Sequence, residues 1–319
     1  MTAYPESAGH AAGLVLGIDG GGSRCTAVLA EGNFAGVREL GRGHGGPANA
    51  VSAGFDRAAA NVAQAVAAAF AAAARVSEPV ASACLGFAGA GRFEIRDRWV
   101  AWARDRHIAH RIEVVPDGVS AFGSSGPAAW GLVVVSGTGS IVWGRNPAGD
   151  LDRCGGRGGL IGDEGSGYAI AIAGLRAAVR SADGWGPATA LAEAATRRFE
   201  VAAPTDLPAA LAASEMTRGR IATFAPDVVV LAEAGDAEAR RIIAEAAADL
   251  GGQSLAVARR FDLHAGEYPL RLTGGLLCHA PLLSDGLVAW LTAAGHAPAS
   301  VTLVPDLALA AASAAARSV

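Results

Sequence analysis

The chain has 319 residues, 51% hydrophobic and 18% charged, with a net charge of −4; it is long enough for two domains and carries no basic surface for nucleic acid or anionic lipid. It contains no lysine, so all 26 basic residues are arginine, which excludes a Walker-A loop, the strand lysine of protein kinases and Schiff-base chemistry. Cys25, Cys84, Cys154 and Cys278 stand far apart without a C-x-x-C pair, so no local zinc or iron–sulfur motif is signalled and a reduced, cytoplasmic setting is expected.

Residues 1–12 read as a loose tail lacking the basic start of a signal peptide. No apolar stretch reaches the ~20 residues of a membrane span. Leu14–Gly20 reads as a strand, Cys25–Glu31 as a second and Val37–Leu40 as a third. The glycines after Asp19 therefore join two strands rather than opening a helix, which removes a dinucleotide-binding reading. A glycine-rich loop over 41–50, an alanine-rich helix over Ala53–Arg75, a strand over 83–91, a helix over Arg92–His107 and a strand over 111–118 complete a β-β-β-α-β-α-β series.

Near Gly126-Pro127 the pattern restarts. Residues 130–144 read as a second strand–turn–strand hairpin, 146–150 as a turn, and 153–167 as a dense glycine stretch before a helix over Tyr168–Arg180. Residues 185–262 are largely helical by apolar spacing. A strand over 268–277 ends in Thr-Gly-Gly, a last strand covers 299–306, and an alanine-rich helix closes the chain. Two glycine-tipped hairpins ~115 residues apart suggest a duplicated α/β domain with a cleft between the halves.

With 43 glycines in 319 residues, one Gly-Gly-Gly is expected by chance about once, so the first triplet alone carries no weight. The agreement of three tips at strand ends does. At the first, Asp19 precedes Gly21 and Gly22 with the hydroxyls of Ser23 and Thr26; bare backbone can approach a phosphate, and the acid can hold Mg²⁺ through water. At the second, Gly137, Thr138 and Gly139, flanked by Ser136 and Ser140, repeat that chemistry. At the third, Gly274 and Gly275 can let an adenosine lie against bare backbone. Asp117 ends an apolar strand and has two readings, the N-cap of a following helix or the base that accepts a substrate hydroxyl proton.

The segments "GIDGGGSRCT", "VVPDGVSAFG", "VVVSGTGS", "GGRGGLIGDEGSG" and "LTGGL" resemble the N-acetylglucosamine kinase and glucosamine kinase branch of the BadF/BadG ATPase-like family, within the acetate kinase/sugar kinase/Hsp70/actin superfamily. The resemblance runs from about residue 14 to 312. It implies an α/β fold of two duplicated ribonuclease-H-like, actin-like ATPase domains around a central ATP/sugar cleft. Residues 13–127 with a returning 306–319 would form the first domain and 128–305 the second. It further implies a kinase using ATP and Mg²⁺ that phosphorylates the 6-hydroxyl of an amino sugar, N-acetylglucosamine or glucosamine.

By the same resemblance, Asp19, Gly21, Gly22, Ser23 and Thr26, Gly137, Thr138 and Gly139, and Gly274 and Gly275 would serve ATP. Asn49, Asp117, Ser140, Gly156, Arg157, Gly158 and Asp163 would serve the sugar, with Asp117 catalytic. Arg157 departs from the family, many of whose members carry an aromatic residue there. A cytoplasmic homodimer with no nucleic-acid or membrane partner is expected. Two alternatives stand beside this reading: an ATPase that activates an acyl-CoA reductase or dehydratase through a cluster shared between subunits, and a sugar sensor without turnover.

Overall fold

The computed structural model describes residues 12–124 and 129–319. All of the expected tail except Ala12, and the expected boundary after residue 127, lie outside the described residues. The chain divides into two compact units, one running to Ala129 and rejoined by Asp306–Val319, the other Trp130–Pro305.

The first unit holds β1 (Gly13–Gly20), β2 (Cys25–Asn33), β3 (Gly36–Gly45), β4 (Val80–Phe87) and β5 (Ala109–Pro116), in the order β3-β2-β1-β4-β5. β1, β2 and β3 pair antiparallel, and β4 and β5 are added parallel. The second unit holds β6 (Gly131–Ser136), β7 (Ser140–Arg145), β8 (Leu151–Gly155), β9 (Pro269–Thr273) and β10 (Ser300–Val304). Its order, β8-β7-β6-β9-β10, has the same pattern of three antiparallel and two parallel strands. The chain is thus an α/β protein of two topologically equivalent mixed sheets. Parallel additions need helical crossovers, and helices Phe55–Ala72 and Phe93–Asp105 supply those of the first sheet.

Alanine-rich helices pack closely on these strands because the facing positions are glycine. In β3, a Cβ on Gly41, Gly43 or Gly45 would come within 2.3, 2.0 and 2.2 Å of carbonyl oxygens of helix Phe55–Ala72. The expected loop over 41–50 is therefore strand up to Gly45. Alternation of glycine with Arg42 and His44 is a period-2 pattern whose inner face is reduced to hydrogen. On β1, a Cβ on Gly17 would lie 2.1 Å from the Ala308 carbonyl of helix Leu307–Ala316. The core between these layers centres on Leu16, Ile18, Leu29, Leu85, Phe87 and Trp99, with Phe87 stacked on Trp99 at 4.0 Å between ring centroids.

Three further expectations change. The turn at 146–150 leads into β8, an edge strand whose charged, half-exposed residues Asp152 and Arg153 hide it from an apolar-run criterion. The strand expected over 83–91 ends at Phe87. The one expected over 268–277 ends at Thr273, and Gly275–His279 is a short helix. The second unit's core is closed by the 24-residue helix Ala237–Arg260, whose buried Ala239, Ile242, Ile243, Ala246, Ala247 and Leu250 recur at helical spacing.

Candidate active site

In the first unit, backbone hydrogen bonds draw several expected site residues to the ends of β1, β4 and β5. The Gly20 carbonyl accepts the Ala88 N–H at 2.9 Å. The Gly21 carbonyl accepts those of Ala48 at 2.9 Å and Asn49 at 3.1 Å, and the Phe87 carbonyl accepts that of Asp117 at 3.1 Å. Asp19, Gly21, Asn49 and Asp117 are thereby held on one frame. Thr26 is the register partner of Asp19 on β2, and its hydroxyl lies 3.2 Å from His44 Nδ1. Gly22 and Ser23 are exposed, and a Cβ on Gly22 would touch nothing within 4 Å. The first tip is therefore bare backbone open to a ligand.

Asn49 is also the N-cap of the turn Ala50–Ala53: its Oδ1 accepts the Val51 N–H at 2.9 Å. Asp117 is not a helix cap. The N-cap of the 3₁₀ turn Val119–Gly123 is Gly118, at φ 81°, and no side chain caps it. The capping reading of Asp117 therefore fails, because the positive-φ residue that redirects the chain is the following glycine.

Asp19 carries a strong electrostatic signal in this unit. Burial, then the nearby charges of Asp117 and Asp306, push its carboxyl up to about 7, against a smaller pull from Arg24. Asp306 itself caps helix Leu307–Ala316 through the Leu309 N–H at 2.9 Å and pairs with Arg42 at 2.5 Å. Asp306 came from no motif; it caps a helix nearly 290 residues after Asp19, and only the fold puts the two near each other.

In the second unit, the β6–β7 tip and the glycine loop are bonded together. Ser136 Oγ donates to the Gly165 carbonyl and Ser140 Oγ to the Glu164 carbonyl, each at 2.7 Å. Gly167 N–H reaches the Gly137 carbonyl at 2.8 Å and Tyr168 N–H the Thr138 carbonyl at 3.3 Å. The two serine hydroxyls thus spend their protons on this loop; Ser140 is 4% exposed. Thr138 is exposed, and a Cβ on Gly137 would meet nothing within 4 Å. Gly274, at φ 93°, packs on the same tip: a Cβ there would lie 2.3 Å from the Ser136 carbonyl oxygen. Gly275 beside it is open.

Asp163 is 5% exposed and sits at φ 61°, a left-handed conformation that few non-glycine residues adopt. Its Oδ1 accepts the Gly158 N–H at 3.2 Å, and its Oδ2 accepts from Arg218 Nη2. A Cβ on Gly139 would stand 3.1 Å from that Oδ2, so the second tip and the Asp163 carboxylate share one small space. Gly156 and Gly158 take φ 65° and 87° in the same loop. Arg157 is exposed and faces a cleft of about 700 Å³ lined also by Glu164, Asp249 and Gln253. Burial, with Glu164 and Glu245 nearby, raises the Asp249 carboxyl. Arg218, on the short helix Arg218–Ala222, lies 55 residues from Asp163 and in no motif.

Among the described residues, no three His, Cys, Asp or Glu side chains converge as metal ligands. Mg²⁺ needs no such cage, since it keeps several waters and takes one or two carboxylates plus phosphate oxygens. The carboxylates of Asp117 and Asp306 near Asp19, whose mutual repulsion a cation would relieve, fit such an ion.

The sequence pattern of the BadF/BadG/BcrA/BcrD ATPase family matches residues 16–297. An N-acetylmuramic acid/N-acetylglucosamine kinase of Clostridium acetobutylicum is 30% identical over 271 residues, covering 85% of this chain and 88% of that protein. An N-acetyl-D-glucosamine kinase of Dictyostelium discoideum is 29% identical over 288 residues, with the same coverage of 85% and 88%. Among solved structures, a Chromobacterium violaceum protein proposed to be an N-acetylglucosamine kinase matches with a TM-score of 0.71 at 25% identity, over 94% of this chain and 97% of that one. A ROK family glucokinase from Streptomyces griseus, solved with glucose and AMPPNP, shares the fold at a TM-score of 0.53 and 17% identity, covering 95% and 99%.

Proposed function

Because the chain belongs to the BadF/BadG/BcrA/BcrD ATPase family, we propose that it is an ATP-dependent kinase of amino sugars that phosphorylates the 6-hydroxyl of N-acetylglucosamine or glucosamine. The observation that carries this reading is Asp117. It directly follows β5 on the frame that also holds Asp19, Gly21 and Asn49, and the cap position of the next turn is taken by Gly118. Its carboxylate accepts the 6-hydroxyl proton as the sugar oxygen attacks the γ-phosphorus and the ADP oxygen leaves. Asn49 orients the sugar from the same frame. In the first unit the open tip at Gly22–Ser23 offers backbone N–H groups to a phosphate; in the second Thr138 does so, the Gly137 N–H being already given to the Gly139 carbonyl at 2.9 Å, and the bare backbone of Gly275 would serve the adenosine.

Asp19 would hold Mg²⁺ through water, and the ion when bound neutralises charge on the phosphates. On the sugar loop, Asp163 is already paired with Arg218, and Arg153, Arg157 and Arg260 outnumber Glu164 and Asp249 in the lining of the adjoining cleft. That balance favours a neutral N-acetyl group over an ammonium. N-acetylmuramic acid, a substrate in the name of the Clostridium relative, is a third candidate whose carboxylate Arg157 suits. A cytoplasmic homodimer is the form proposed; sedimentation measures the assembly.

The test is ADP release coupled to the purified protein with N-acetylglucosamine, glucosamine, N-acetylmuramic acid, N-acetylmannosamine and glucose. Turnover with an amino sugar and a 6-phosphate product by NMR is expected. Turnover with glucose alone, or with no sugar, overturns the proposal.

A further inference from the structure

We propose that Arg218 is a positioning residue for the sugar, acting through Asp163. The inference rests on the sugar-binding role proposed for Asp163. An isolated carboxylate this buried is costly, and one partner with a full charge relieves it. Arg218 Nη2 bonds Oδ2 while the Gly158 N–H bonds Oδ1. An ionised carboxylate offers about four acceptor sites over its two oxygens. One on each oxygen is therefore taken, and each oxygen keeps one for a further donor. That is the acceptor pattern for two adjacent hydroxyls of a sugar ring.

The surroundings of Arg218 fix its reach. Its guanidinium lies 5.0 Å over the Tyr168 ring, a favourable cation–π position. Its helix is capped by Thr217, whose hydroxyl accepts the Arg220 N–H at 3.2 Å. Tyr168 in turn is tied by its N–H to the Thr138 carbonyl at the β6–β7 tip. Gly159 of the glycine loop leaves the space the pair occupies: a Cβ there would lie 2.8 Å from Arg218 Nη2 and 2.7 Å from the Tyr168 ring. The glycine that looks like mere loop punctuation is what lets an arginine from a distant helix reach Asp163. Asp163 in turn keeps its left-handed backbone, φ 61°, under two bonds that hold its side chain.

The test compares R218M, R218K, D163N and the R218M/D163N double variant, reading kcat, KM for sugar, KM for ATP and thermal midpoint. A hydrogen bond to a charged group is worth roughly ten- to a hundredfold in an equilibrium constant. KM for sugar in R218M is expected to rise by about that factor, with kcat less affected and KM for ATP within about twofold. R218K, which restores the charge without the planar fork, should recover part of the loss. Because Arg218 acts through Asp163, the double variant should be no worse than D163N alone. Losses that add in the double variant, or an R218M that melts lower but keeps the wild-type KM for sugar, overturn the proposal. Should R218M fail to fold, R218K and R218K/D163N carry the same comparison. If D163N itself leaves KM for sugar unchanged, the sugar-side role of Asp163 falls and this inference with it, whereas the kinase reading stands or falls on ADP release alone.

Discussion

Asp19→Asn tests the electrostatics at the end of β1. The carboxyl is raised from 3.8 to about 7 by burial and by Asp117 and Asp306, about three pH units. At ~1.4 kcal/mol per unit, ionised Asp19 costs the fold at most about 4 kcal/mol; solvent at the strand end lowers that figure. Since the folded-state value lies above the unfolded one, the folded state binds the extra proton between pH 4 and 7. Stability from this group is therefore present at low pH and lost as pH rises through about 7. Asparagine keeps the shape and removes the charge. Calorimetric melting of D19N without ligand should exceed wild type by several degrees at pH 8, and the gap should shrink to less than half of that at pH 5. Mg²⁺ with ATP should raise the wild-type midpoint at pH 8 and do little for D19N, which should have lost most of its turnover. A D19N that melts at or below wild type at pH 8, or a gap that ignores pH, refutes the reasoning.

Asp117→Asn should lower kcat by roughly 10²–10⁴-fold while the melting midpoint does not fall, because Gly118 and not Asp117 occupies the cap and loss of the Asp117 charge relieves Asp19; near-normal kcat would remove the base. Gly139→Ala sets a Cβ 3.1 Å from Asp163 Oδ2, so it should raise KM for sugar more than KM for ATP, and steady-state kinetics with each substrate varied decides between them. Gly274→Ala meets both a left-handed φ of 93° and the Ser136 carbonyl at 2.3 Å, and should cost about 2–4 kcal/mol in denaturant unfolding. Gly275→Ala, facing open space, should cost within ~0.5 kcal/mol; equal losses at the two positions would contradict the packing described.

Much of the fold was legible in the chain because its signals are local. A strand end, a glycine tip and a second strand form one hairpin within a dozen residues, and "DGGG" and "SGTG" report that geometry through backbone chemistry alone. The repeat of that signal anticipated two mixed sheets, and the two strand orders match. Local signals misled where glycine served packing instead of turning. Gly41, Gly43 and Gly45 read as loop, yet they are strand residues stripped of side chains so that a helix backbone can approach within van der Waals contact. Edge strand β8, charged and half-exposed, lacked the apolar run by which the other strands show themselves.

The chain by itself determined which residues can supply oxygen, bare N–H groups and a proton acceptor, since those are properties of residue type: Asp19, Asp117, Asp163 and the three glycine tips. Only the tertiary structure decided how each is used. It spent the Ser136 and Ser140 hydroxyls on loop carbonyls. It moved the cap from Asp117 to Gly118 and set Asp306 close enough to Asp19 to raise its carboxyl. It also brought Arg218 across 55 residues to Asp163. The physical reason is range: hydrogen-bonding capacity is written in each residue, whereas charge–charge distance and burial exist only once segments remote in sequence have packed together.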